Sequence, residues 1–71
     1  MNVKTIYFDW QTDLKLYQLL KKSGICNTKT EAIELIEYGT VLVNSFQEDD
    51  PYSSVLSGDL VEFDWIKIKV E

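Results

Sequence analysis

The sequence predicts an α+β fold in the order strand, two-helix hairpin, strand, acidic loop and terminal β-hairpin. Three observations predict it. Residues Val3 to Trp10 and Trp65 to Val70 alternate with a period of two, the spacing of a pleated strand. Apolar residues recur at helical spacing in two stretches, Leu14 to Leu20 and Ala32 to Ile36, and each stretch is followed by a glycine, Gly24 and Gly39. Between Thr28 and Asn44 a capped helix, a stop and a β-branched strand follow one another without a gap.

In the first strand Ile6, Phe8 and Trp10 share one face and Val3, Thr5 and Tyr7 the other, so both faces carry large apolar groups. Aromatic core is the simplest reading; a platform for stacking bases requires Tyr7 or Trp10 to be exposed. Thr12 is placed to cap the first helix, with Asp13 at its positive end and Leu14, Leu16, Tyr17, Leu19 and Leu20 as the apolar stripe. Lys21 and Lys22 fall in the last turn, where positive charge complements the carbonyl end, and Gly24 stops the helix with Ile25 folding back. Thr28 and Glu31 form a capping box for the second helix, whose stripe is Ala32, Leu35 and Ile36, widened by Ile33. Val41 to Val43 is a buried strand and Asn44 begins a turn. The segment from Ser45 to Ser54 is polar and broken by Pro51, a surface loop with Phe46 as its anchor. A Ser57-Gly58-Asp59 turn then leads into Leu60 to Phe63, with Val61 and Phe63 on one face, and into a last strand opposing Ile66, Ile68 and Val70 to Lys67 and Lys69. The link around Asp64 has no glycine, which leaves its length open.

With 71 residues, 45% hydrophobic and 13% aromatic, the chain reads as a single globular domain over residues 1–71. Histidine is absent and Cys26 is the single cysteine. That removes the usual general base, the common serine and cysteine triads, an internal disulfide and a zinc site, so no enzyme, cofactor or metal is predicted. Glu48, Asp49 and Asp50 lack the glycine and the distant glutamate of a calcium loop and read as a solvated acidic loop. No stretch approaches the roughly 20 apolar residues of a membrane span or resembles a secretory signal, which points to the cytoplasm. Twelve acidic residues against seven lysines give a net charge of -5. Without arginine the chain has no planar fork for phosphate, so any binding of nucleic acid must rest on lysine and backbone amides.

Leu16, Leu19, Leu20, Gly24 and Ile25, then Thr28, the pairs Glu31-Ala32 and Leu35-Ile36, Gly39 and Val41 to Asn44, and later Leu56, Gly58-Asp59 and Val61 to Phe63, recur in an order that resembles the S-four (S4) domain. This is the RNA-binding module named after the fourth protein of the small ribosomal subunit. The resemblance runs from about Leu14 to Phe63, and the leading strand and short length look like the small stand-alone bacterial members. It implies the alpha-L arrangement, two helices packed on a small bent antiparallel sheet. It also implies that structured RNA, ribosomal or transfer RNA, is held on the helical hairpin and the strand after it. Lys29, in the first turn of the second helix, is the first candidate for a phosphate contact, because amides and partial positive charge gather there. Lys21, Lys22 and Asn44 follow, with Thr28 at the cap. The chain also departs from the family pattern: Ile33 and Glu34 stand where a basic residue is common, Ser45 where a glycine is expected, and Gln47-Glu48-Asp49-Asp50 where the loop is often basic. These departures support an alternative, an acidic module that keeps the fold and docks onto a basic protein partner, for which an outward Ile33 beside Tyr38 would be the mark.

Overall fold

In the computed structural model, which describes residues 2–71, the elements run β1 (Lys4–Phe8), α1 (Leu16–Lys22), α2 (Lys29–Glu37), β2 (Val41–Val43), β3 (Phe46–Gln47), β4 (Leu60–Phe63) and β5 (Ile66–Val70). The strands form one sheet in the order β1-β5-β4-β2-β3. Pairing is antiparallel from β5 through β4 and β2 to β3, as expected of the hairpins. β1 then adds to β5 in parallel, Ile6 opposite Ile68, so the sheet as a whole is mixed. That long-range pairing brings the two ends of the chain side by side, with the Glu71 amide donating to the Phe8 carbonyl at 2.8 Å.

The α+β class follows from where the apolar stripes go. Leu14, Leu16, Leu19 and Leu20 meet Ala32 and Ile36 of α2 and Val41, Val61, Ile68 and Val70 of the sheet in one buried cluster. No polar or charged residue is buried among the described residues. Each such leucine contributes roughly 1.5–3 kcal/mol by leaving water, so α1, only two turns long, is held by packing rather than by its own propensity. Cys26, at 2% exposure, fills the loop between the helices. Ile33 is half-buried and lies outside this cluster, so it neither joins the core nor stands clear of the surface.

The first helix begins later than its sequence pattern predicts. Thr12 does not cap it: Asp13 turns into the left-handed region at φ 61° and the helix starts at Leu16 behind Lys15. The reason is long-range. The Leu14 carbonyl accepts from Val55 at 2.9 Å, Lys15 bridges to Ser54, and the Leu16 and Tyr17 amides donate to the carbonyls of Ser53 at 2.9 Å and Pro51 at 3.0 Å. The segment at 51–55 thus does the capping that Thr12 was expected to do. Gln18 adds its Oε1, which accepts from the Lys15 amide at 2.9 Å.

The second helix starts and stops as predicted, with one change. The Thr28 hydroxyl accepts from the Glu31 amide at 3.2 Å, but Glu31 reaches back to the amide of Asn27, at 3.5 Å, instead of to that of Thr28. Gly39 ends it at φ 81°, where a Cβ would also run into the side-chain amide of Gln47. Asn44 and Ser45, at φ 52° and 73°, form a two-residue turn that pairs Val43 with Phe46. The acidic loop therefore opens with a short strand, and Phe46 anchors nothing, since it is 78% exposed. Trp65 sits in a two-residue turn with Asp64, whose φ of 54° replaces the missing glycine.

Candidate nucleic-acid interface

Three of the seven lysines, separated in sequence, line one groove. Lys21 and Lys22 come from the last turn of α1 and Lys29 from the first turn of α2, and with Tyr17 and Gln18 they enclose a volume of about 380 Å³. The hairpin makes this convergence. Gly24, at φ 86°, reverses the chain after α1, and the amides of Ile25 and Cys26 both donate to the Leu20 carbonyl, at 3.1 and 3.2 Å, which sets the start of α2 beside the end of α1.

The groove is ordered by contacts on its rim. The Lys29 ammonium lies 5.0 Å from the centroid of the Tyr17 ring and 5.6 Å from that of Tyr52, and the two rings meet edge to face at 5.3 Å and 66°. A cation placed over aromatic faces is attracted by their quadrupoles by about 0.5–1 kcal/mol at an exposed site, enough to bias where the side chain lies. Lys22 donates to Gln11 Oε1 at 2.6 Å, a neutral partner that leaves its charge uncompensated.

No carboxylate lines this groove among the described residues. The acidic groups of α2 face other hollows, Glu34 and Glu37 with Tyr38 in one of about 370 Å³, and Glu31 and Glu34 beside Cys26 in one of about 220 Å³. Along the helix axis Glu31, Glu34 and Glu37 stand about 3, 8 and 12 Å beyond Lys29, so of the three only Glu37 lies farther than the roughly 10 Å over which 0.1 M salt screens exposed charges. Two carboxylates of the acidic loop, Glu48 and Asp50, turn inward on their own segment. Glu48 accepts from the Asp50 amide at 3.2 Å and the Ser53 hydroxyl at 3.0 Å, and Asp50 accepts from the Tyr52 amide at 2.9 Å. The net charge of -5 is therefore spread unevenly, with lysines alone carrying charge in the lining of the groove and the carboxylates of α2 and the loop standing around it.

A model of the S4 domain family matches residues 11–71. The chain belongs to the S4 domain family. None of the curated proteins matches it. The match begins after β1 and, unlike the resemblance legible in the sequence, takes in all of β5. S4 domains are RNA-binding modules, not catalytic ones. No helix among the described residues is long and apolar enough to cross a membrane, and no group of three or more acidic or thiol side chains is arranged to hold a metal ion.

The S4 domain brings together Lys21, Lys22 and Lys29 of the sequence-derived candidates, with Thr28 adjacent as the cap of α2. Asn44 is elsewhere, at the β2–β3 turn, and both ends of its amide are engaged: Nδ2 donates to Asp59 Oδ1 and Oδ1 accepts from the Leu60 amide, each at 2.9 Å. Of the aromatic platforms considered for the first strand, Tyr7 is exposed but holds Lys69 at 5.8 Å, on the sheet face away from the helices, and the Trp10 indole donates to the Val55 carbonyl at 2.8 Å. Sequence reasoning missed Gln18 and Tyr52. Gln18 carried no signal beyond its place on α1, and Tyr52 reaches the groove only through the backbone bond from Tyr17 to Pro51, which no local pattern encodes.

Proposed function

We propose that this S4 domain binds structured RNA, of ribosomal or transfer type, through the groove of Lys21, Lys22 and Lys29 and the adjoining start of α2. The observation that carries the reading is the convergence of these three lysines on a groove without carboxylates, in a chain that is acidic overall. The phosphates of one RNA strand are met by three ammonium groups and by the Lys29 and Thr30 amides at the start of α2, the Glu31 amide being taken by Thr28, and the partial positive charge of that helix end adds to theirs. Lysine acts here as a point charge, so the interface holds phosphate without reading base edges, and recognition rests on the shape of the RNA.

Three phosphate contacts predict a slope of roughly −2.1 to −2.7 in log affinity against log salt, a loss of roughly 20- to 40-fold between 50 and 200 mM. Titration of a fluorescent RNA stem-loop over that range measures it. Replacing the three lysines together by glutamine should flatten the slope, whereas the same change at Lys67 and Lys69, on the sheet, should leave it intact. Binding that is absent at low salt, or indifferent to the three lysines, refutes the proposal.

A further inference from the structure

We propose that the RNA taken by this groove carries an unpaired nucleotide, a bulged or loop base, and that Tyr52 is the surface on which the base stacks; the inference rests on the RNA reading above. Tyr52 is 52% exposed, yet it is not a loose surface side chain. Its backbone is fixed from both sides: its amide donates to Asp50 Oδ1, Pro51 before it is buried with its carbonyl accepting from Tyr17, and Ser53 after it accepts from Leu16. Glu48 closes the loop through the Ser53 hydroxyl. The acidic segment, which makes no sense as a phosphate contact, does make sense as the frame that presents one aromatic ring at the rim of a lysine groove.

The chemistry of the rim matches a nucleotide. An aromatic ring whose surface is half open lies 5.6 Å from an ammonium, and a nucleotide is aromatic at one end and anionic at the other. Edge contact with Tyr17 sets the tilt of the Tyr52 ring, so little rotamer freedom is left to lose on binding. A base within an A-form stem has both faces covered by its neighbours and offers nothing to Tyr52, whereas an unpaired base presents a face at little cost. Stacking accepts any base, so the preference is for an unpaired nucleotide and not for a sequence.

The test compares a fully paired RNA stem with the same stem carrying one bulged nucleotide, the bulge also made with the fluorescent base 2-aminopurine. The wild-type protein should bind the bulged stem about tenfold more tightly and quench the 2-aminopurine. Tyr52→Ala should abolish both the preference and the quenching, the bulged stem losing more affinity than the paired one, and Tyr52→Phe should keep both. Equal affinity of the wild-type protein for the two stems overturns the stacking role and leaves the RNA reading standing. An equal loss for both stems in Tyr52→Ala also overturns it, since Tyr52 would then serve only to place Lys29. If neither stem binds at low salt, both readings fall.

Discussion

Replacing Asn44 by alanine should destabilise the domain by about 2–3 kcal/mol while leaving RNA affinity unchanged. The magnitude comes from three contributions at one residue. The side chain closes two hydrogen bonds across the sheet end, to Asp59 and to the Leu60 amide, each worth about 1 kcal/mol net of competition with water. The backbone sits at φ 52°, which asparagine tolerates and alanine does not, at about 1 kcal/mol. Asn44 is exposed, which keeps the total from rising further. A chain of this size has a stability of only about 4–10 kcal/mol, so the loss is large, and a fall in melting temperature of roughly 13–20 °C follows. Asn44→Gly separates the contributions, because glycine accepts the backbone and loses only the two bonds; it should cost about 1–2 kcal/mol. Urea denaturation of the three proteins, with equal slopes, measures the differences. Asn44→Ala within 0.5 kcal/mol of wild type, or no gap between the alanine and glycine variants, would refute the reasoning; a loss of RNA affinity in the folded variant would place Asn44 in the interface after all.

Two further changes test the local physics. Ser45, at φ 73° in the same turn, stands where the backbone favours glycine, so Ser45→Gly should stabilise the domain by about 0.5–1 kcal/mol in the same urea measurement. Burial, and secondarily the Glu31 carboxylate, push the Cys26 thiol above its ordinary pKa. The folded state therefore holds that proton more tightly than the unfolded chain. The stability it confers is complete below the ordinary thiol range and is lost as pH rises through the higher folded value. A melting series across that range should show wild type losing more stability than Cys26→Ala, and parallel curves would contradict the shift.

The parts of the fold that read from sequence are those whose causes are local. Thr28 and Gly39 bracket α2 because a hydroxyl three residues from an amide and a residue free to take positive φ are properties of neighbouring positions. The start of α1 misleads for the opposite reason. Thr12 and Asp13 have the composition of a cap, but the Leu14 carbonyl accepts from Val55, Lys15 bridges to Ser54, and the amides of Leu16 and Tyr17 find carbonyls more than thirty residues away. The parallel pairing of β1 with β5 is likewise invisible to a period-two pattern, which fixes faces and not neighbours. In the lysine groove, each lysine was legible as a candidate from its helix position, and their convergence needed only the hairpin turn. Net charge misleads there, because it says nothing of where the charges sit: three lysines share a groove that no carboxylate lines, while Glu48 and Asp50 are held against their own loop. Asn44 shows the converse: a residue that marks the family in sequence is spent on closing the sheet.

Mapping amide chemical shifts by NMR while an RNA stem-loop is added tests the location of the interface most directly. Shifts concentrated on Tyr17, Gln18, Lys21, Lys22 and Lys29, with Tyr52 moving alongside and the changes fading as salt is raised, are the predicted result. Shifts concentrated on Glu34, Glu37 and Tyr38, or on Thr5, Lys67 and Lys69 of the sheet, would contradict it.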